Sequence, residues 1–274
     1  MSSQFEPGYE IPISHQSAPG KQYEMAGTDP VNDKLPTDNG GYQLYLASGK
    51  LEGKKALITG GDSGIVRAIA ILYAMEGAES TITYLPQEEE DAKETKALVE
   101  AKGGQLHLFS SDLRNHAACK DVFGKAKKAM GYYERRHFGN HMCTSFFFLS
   151  KCTLPHMSRG DVIITCASVN PFVGRSDLLD YTTTKGAIVA FTRALSNQQI
   201  KKGIRVNCVC PGPIWTPLIP ATMNEKAQRN FTSPMGRPGQ PSEVATCFVF
   251  LASKDSSFMS GQCLHPNGGI IFGS

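Results

Sequence analysis

Residues 54–79, KKALITGGDSGIVRAIAILYAMEGAE, narrow the fold more than any other stretch: a short apolar run, a glycine-rich turn and an apolar helical pattern follow one another directly. The run at 55–59 has the length of a buried strand, Gly60, Gly61 and Gly64 punctuate the turn, and Gly77 ends a predicted helix over about 64–76. A strand that hands over to a helix in this way opens a parallel βαβ unit. The alternation then repeats. STITYL (80–85) and QLHLFSSDL (105–113) read as strands, each followed by a helical stretch, the second over about 115–130. Beyond the midchain come a helix over about 143–157, the strand DVIITCAS (161–168), a long helix over about 179–200 and the strand IRVNCVCPG (204–212). A helix over about 241–252 and a last strand near 261–265 complete the pattern. The fold class is therefore α/β, a Rossmann-type doubly wound parallel sheet with helices on both faces, spanning 50–274 as one domain.

Residues 1–49 lack this texture. Five prolines and six glycines interrupt them and no helix or strand period is sustained, so the segment is expected to be an extended arm or tail; Tyr9, Tyr23, Tyr42 and Tyr45 give it apolar area with which to lie on a surface. The stretch 213–235 reads as mobile, with Pro217 and Pro220 bracketing a loop able to close over a substrate.

Composition excludes several classes. At 274 residues, 41% hydrophobic and 19% charged, the chain is globular, and the formal net charge of +3 is dispersed; Arg135, Arg136 and His137 make only a short charge run, so no nucleic-acid partner is expected. The densest apolar cluster, Phe146 to Leu149, falls far short of the roughly 20 residues that cross a bilayer. Eight cysteines in a chain of this size, without a basic-plus-apolar leader, suggest reduced thiols and a cytoplasmic location. Cys208 and Cys210 are separated by one residue and no matching pair follows, so no metal is expected.

Chemistry concentrates at two places. The turn Thr59, Gly60, Gly61, Asp62, Ser63, Gly64 and Ile65 stands where a helix N-terminus can face a dinucleotide pyrophosphate, although an ordinary turn is the competing reading. Asp112 either accepts from an adenine amine or caps the next helix. The second strand ends Tyr84-Leu85-Pro86 with neither the acid that holds an NAD ribose nor a base for a 2′-phosphate, while Glu88, Glu89 and Glu90 nearby would repel a phosphate; NAD and NADP both stay open. Tyr181 and Lys185, four apart, share a helix face, so the ammonium can favour a phenolate that gives and takes a proton. Ser168, at a strand end, can donate to a carbonyl oxygen as charge develops there.

On these residues the chain resembles the short-chain dehydrogenase/reductase family over about 50–274. Thr59 to Ile65 is similar to its cofactor fingerprint, Asp112-Leu113 to its adenine-side pair, Ser168 with Tyr181 to Lys185 to its catalytic signature, Asn207 to its structural asparagine, and Pro211-Gly212 through Ile214 and Thr216 to its nicotinamide-side loop. The text DLLDYTTTKGAIVAFTRALS (177–196), GIRVN and PGPIWTPLIP, with the N-terminal segment, most resembles glucose and ribitol dehydrogenase homologues and plant aldehyde reductases. The resemblance implies NAD or NADP as cofactor, hydride exchange between an alcohol, sugar or polyol and its carbonyl, Tyr181 as acid or base, Ser168 steadying the reacting oxygen, and Lys185 serving both the tyrosine and the nicotinamide ribose. It also implies a sugar, polyol or aldehyde substrate and a homodimer or homotetramer.

Three departures accompany it. Val66 replaces the last fingerprint glycine, and Met142 falls where the family carries an active-site asparagine, with Asn140 close but out of phase. GYYERRHFGNHMC (131–143) contains no run of four to eight apolar residues, so the central fourth strand is expected to be lacking, which would leave the backbones of both its neighbours unpaired. The alternative reading is accordingly a catalytically inactive nucleotide-binding or oligomeric scaffold.

Overall fold

The computed structural model describes residues 3–25, 29–131, 138–140 and 143–271. In the arm, β1 (Lys34–Pro36) and β2 (Tyr42–Leu44) form an antiparallel pair. The main sheet begins with β3 (Lys55–Thr59), α1 (Gly64–Met75), β4 (Glu79–Tyr84), α2 (Glu89–Ala101), β5 (Leu106–Ser110) and α3 (His116–Ala129). There follow β6 (Phe138–Asn140), α4 (Cys143–Thr153), β7 (Val162–Cys166), the short α5 (Asn170–Val173), α6 (Leu179–Gln199) and β8 (Arg205–Val209). Short helices α7 (Leu218–Thr222) and α8 (Glu225–Arg229), then α9 (Pro241–Ala252) and β9 (Cys263–Leu264), complete the described chain.

Seven strands form one parallel sheet in the order β5-β4-β3-β6-β7-β8-β9. The Rossmann-type sheet is thus present, but the expectation that its fourth strand is lacking is corrected. Phe138–Asn140 occupies that place, pairing Leu57 with Phe138 and Ile58 with Gly139 on one side, and Phe138, Gly139 and Asn140 with Ile163, Ile164 and Thr165 on the other. Three residues suffice because the demand comes from the neighbours. β3 and β7 are buried, and their inward-facing amides and carbonyls would otherwise lose their partners at several kcal/mol each.

Chain order reverses between β3 and β6: β3, β4 and β5 step outward one way, and β6 returns to the other side of β3. Ligands of open α/β sheets bind outside the carboxyl ends of the strands at such a switch point. α1 is apolar almost all round, as a helix covered on several sides must be, and it packs with Val244, Ala245, Phe248 and Val249 of α9 in the main core. Val66 is buried in that core.

The arm is ordered over its described residues and lies on its own domain. Ile11 and Met25 bury Trp215 and Ile219 in a separate apolar cluster, and Gln228 exchanges two hydrogen bonds with Ser14 at 2.8 and 3.2 Å. This corrects the expectation of a mobile 213–235 stretch. Trp215 is 1% exposed, its backbone N–H donates to the Gly239 carbonyl at 2.9 Å, and the stretch contains two helices. Prolines read as loosening the segment are instead held under the arm. Trp215 is the single tryptophan of the chain and reports on this packing. Met25→Ala is expected to cost about 2–4 kcal/mol and to shift Trp215 emission to the red; unchanged emission and melting temperature would refute the arm's role.

Candidate active site

The turn after β3 is shaped by close approach. A Cβ at Gly61 would stand 2.3 Å from Ile82 Cγ2, so only glycine passes over β4 there, and Gly60 has φ +68°. Gly64, the first residue of α1 with φ +56°, faces Thr216, whose Cγ2 lies 3.2 Å from where a Cβ would be. The turn and the loop after β8 therefore meet at Gly64. Thr59 and Asp62 are buried, Ser63 precedes α1 without a side-chain cap, and Ile65 packs on the core. Burial raises the Asp62 carboxyl above its usual range despite an opposing hydrogen bond from Ser63.

Sequence reasoning missed what secures this turn. Arg67, the one charge within α1 and 1% exposed, donates through Nε to the Asp62 carbonyl at 2.9 Å and through Nη2 to the Asp91 carboxylate at 2.9 Å. Thr95 Oγ1 donates to the same Asp62 carbonyl at 2.7 Å. Asp91 also accepts from the backbone N–H groups of Gln22 and Tyr23 at 2.7 and 3.1 Å, and Gln22 Oε1 accepts from the Gly64 N–H at 2.8 Å. The arm thereby supplies a partner to an α1 amide that has none within the helix. A lone arginine in an otherwise apolar helix was the available signal; nothing local marked Gln22.

Asp112 is not the helix cap that was one of its two readings. It is bound by Arg114, whose Nε donates to both carboxylate oxygens at 2.9 and 2.8 Å and holds it below the usual carboxylate range, while Asn115 caps α3 through the Ala118 N–H at 2.9 Å. Leu113 packs beside Leu57 and Val122. On the other half, Ser168 follows β7, is 7% exposed and accepts from the Asn170 N–H at 3.2 Å. Tyr181 stands in the first turns of α6; Lys185 Nζ lies 5.5 Å from its ring centroid and donates to the Cys166 carbonyl at 3.4 Å. One strand end thus carries Ser168 and anchors Lys185. Pro211 and Gly212 turn the chain beside Asn267, whose Cα would be 2.7 Å from a Cβ on Gly212; Ile214 bridges to Gly239 and Thr216 is mostly buried. Asn207 ties β8 to the chain before β9, accepting from the Gln262 N–H at 3.0 Å and donating to the Met259 carbonyl at 2.9 Å. Met142 lies outside the described residues, and Asn140 ends β6 instead of opening α4.

Residues 54–134 match the family model described as short chain dehydrogenase, and residues 136–271 match one described as Enoyl-(Acyl carrier protein) reductase. Glucose and ribitol dehydrogenase of Daucus carota is 42% identical, with 93% of this chain and 97% of that protein aligned. NADPH-dependent aldehyde reductase 1, chloroplastic, of Arabidopsis thaliana is 45% identical over 92% of this chain and 97% of its own. The chain belongs to the short-chain dehydrogenase/reductase family. A dehydrogenase/reductase from Sinorhizobium meliloti 1021 superposes with a TM-score of 0.74 at 27% identity, covering 81% of this chain and 96% of that one. As a member of the family, the protein is an NAD(P)-dependent oxidoreductase that transfers hydride at CH–OH groups. The alignment with the Daucus relative runs over 286 positions, more than the 274 residues of this chain, so that relative carries residues this one lacks. The two family models meet at residue 135. Among the described residues no helix is long and apolar enough to cross a membrane.

Glu88 sits just beyond β4, its carboxylate accepting from the Leu85 N–H at 2.8 Å. Burial, with the charges of Asp62 and Asp91 adding to it, pushes its pKa from 4.5 up to about 7. The fold therefore favours the protonated form: its contribution is complete below pH 4.5 and is lost as pH rises through about 7. Between pH 5.5 and 8 the native melting temperature is expected to fall by about 5 °C more than that of Glu88→Gln. Parallel pH profiles of the two proteins would contradict this.

Proposed function

We propose that Tyr181 transfers the proton, Ser168 steadies the reacting oxygen and Lys185 holds the phenol side positive, in the interconversion of a polyol, sugar or small aldehyde and its redox partner. The observation that carries the reading is the Lys185 bond to the Cys166 carbonyl, which ties the Tyr181 helix to the strand end bearing Ser168. With the Ser168 oxygen already accepting from Asn170, its own O–H is left to donate to a substrate oxygen. The names of the Daucus and Arabidopsis relatives support this substrate class.

The turn fits a dinucleotide, since Gly60 and Gly61 keep side chains off the backbone at the N-terminus of α1. Thr59, Gly60, Asp62, Ser63, Gly64 and Ile65 would hold the pyrophosphate side, Asp112 and Leu113 the adenine side, and Pro211, Gly212, Ile214 and Thr216 with Tyr181 and Lys185 the nicotinamide side. Bound NAD or NADP supplies the hydride acceptor or donor. Glu89, whose carboxylate the Tyr84 hydroxyl and Lys93 hold below its usual range, and Glu90 beside it favour NAD over its 2′-phosphorylated form. Of the three departures behind the inactive-scaffold alternative, the absent central strand is supplied by β6.

Tyr181→Phe is expected to lower kcat for a polyol or aldehyde substrate by at least about 100-fold while the dinucleotide still binds, and the native enzyme to show higher kcat/KM with NAD than with NADP. Full turnover in the variant would refute the assignment, and a preference for NADP would refute the role of the two carboxyl groups.

Self-association is proposed as well, as a homodimer or homotetramer. α6 buries only the side facing Ile188, Thr192 and Leu195, while Leu179 on it and Phe147 on α4 are exposed. Sedimentation equilibrium is expected to give a multiple of 29.7 kDa; a monomer at micromolar concentration would refute it.

A further inference from the structure

Three sulfurs meet at one edge of the sheet. Cys208 lies on β8 and Cys210 just past it, two residues apart and so on the same face; Cys263 lies on β9, in register with Cys208. Their Sγ atoms all stand within 4.8 Å of one another, and Cys208 and Cys210 Sγ are 3.6 Å apart. Sulfurs sharing a zinc ion at a Zn–S length of about 2.3 Å lie roughly 3.8 Å from each other, so the trio needs only a small contraction. The expectation of no metal rested on spacing along the chain; here the third ligand comes from the neighbouring strand.

We infer that Cys208, Cys210 and Cys263 form a binding site for a thiophilic d10 cation, zinc(II) or copper(I). A three-thiolate set is the donor chemistry that selects these ions over hard cations. Cys208 and Cys210 are buried beside Phe146, Ala167, Ile188 and Val189, whereas Cys263 is partly exposed on the edge strand and gives the ion its way in. Arg193 is near enough to Cys263 to offset the negative charge that three thiolates leave on the bound ion. β9 is only two residues long, and an ion shared with β8 would fasten it just below Pro211 and Gly212. The site shares no residue with the catalytic set proposed above.

The test is titration of the reduced full-length protein with zinc(II), and anaerobically with copper(I), each against a competing chelator. Cadmium(II) absorption serves to count thiolates. One cation per chain and a cadmium charge-transfer band of three thiolates are expected, with affinity falling about 100-fold or more in Cys263→Ala and in Cys210→Ala, and unchanged in Cys247→Ser. Tighter binding of zinc or of copper identifies the ion. No stoichiometric binding of either, a band of one or two thiolates in the native chain, or native affinity retained in the Cys263→Ala or Cys210→Ala protein would overturn the proposal.

Discussion

The sheet is joined at its middle by three residues. β5, β4 and β3 stand on one side of β6 and β7, β8 and β9 on the other, so the backbone pairing between the two halves of the sheet passes through Phe138, Gly139 and Asn140. The cost of leaving buried amides and carbonyls unpaired on both neighbours is what makes so short a strand sufficient. That junction is also the switch point, where the glycine turn after β3 and the Ser168 end of β7 follow the carboxyl ends of the strands that flank β6. Without β6 the glycine-turn half and the half bearing Ser168 would be joined by side-chain packing such as α1 on α9, with no backbone pairing between them.

A second set of constraints comes from outside the domain. The arm reaches the glycine turn after β3 through Gln22 and the loop after β8 through Ile11 and Met25, and both contacts are buried. Arg67 and Asp91 link them into one unit, because the same carboxylate that receives the arm's backbone also neutralises the guanidinium holding the Asp62 carbonyl. Removing Arg67 strands the buried Asp91 charge, at roughly 3–5 kcal/mol, whereas the guanidinium keeps a second carboxylate in Glu94 at 2.9 Å. The arm thus acts on the site by fixing backbone, without supplying a reacting group.

Much of this was legible in the residues. The alternation of apolar runs and helical stretches gave β3, β4, β5, β7 and β8 to within a residue or two at most ends, because buried parallel strands are read from their own composition. β6 was illegible for the converse reason: Phe138, Gly139 and Asn140 make a strand only because β3 and β7 flank them. The order of the 213–235 segment was hidden in the same way, since Trp215 is packed by Ile11 and Met25, some two hundred positions earlier in the chain. Asp112, Tyr181 and Lys185 were found by spacing, but the partners that place them, Arg114 and the Cys166 carbonyl, depend on local rotamer and on register across the sheet.

The junction at β6 is open to direct measurement by residue-resolved amide hydrogen exchange on the native protein. The β3 and β7 amides that face β6 are predicted to exchange as slowly as those between β4 and β5 and between β7 and β8, in a single cooperative unit. Exchange of those amides at the rate of surface loops, with the outer strands still protected, would contradict the account.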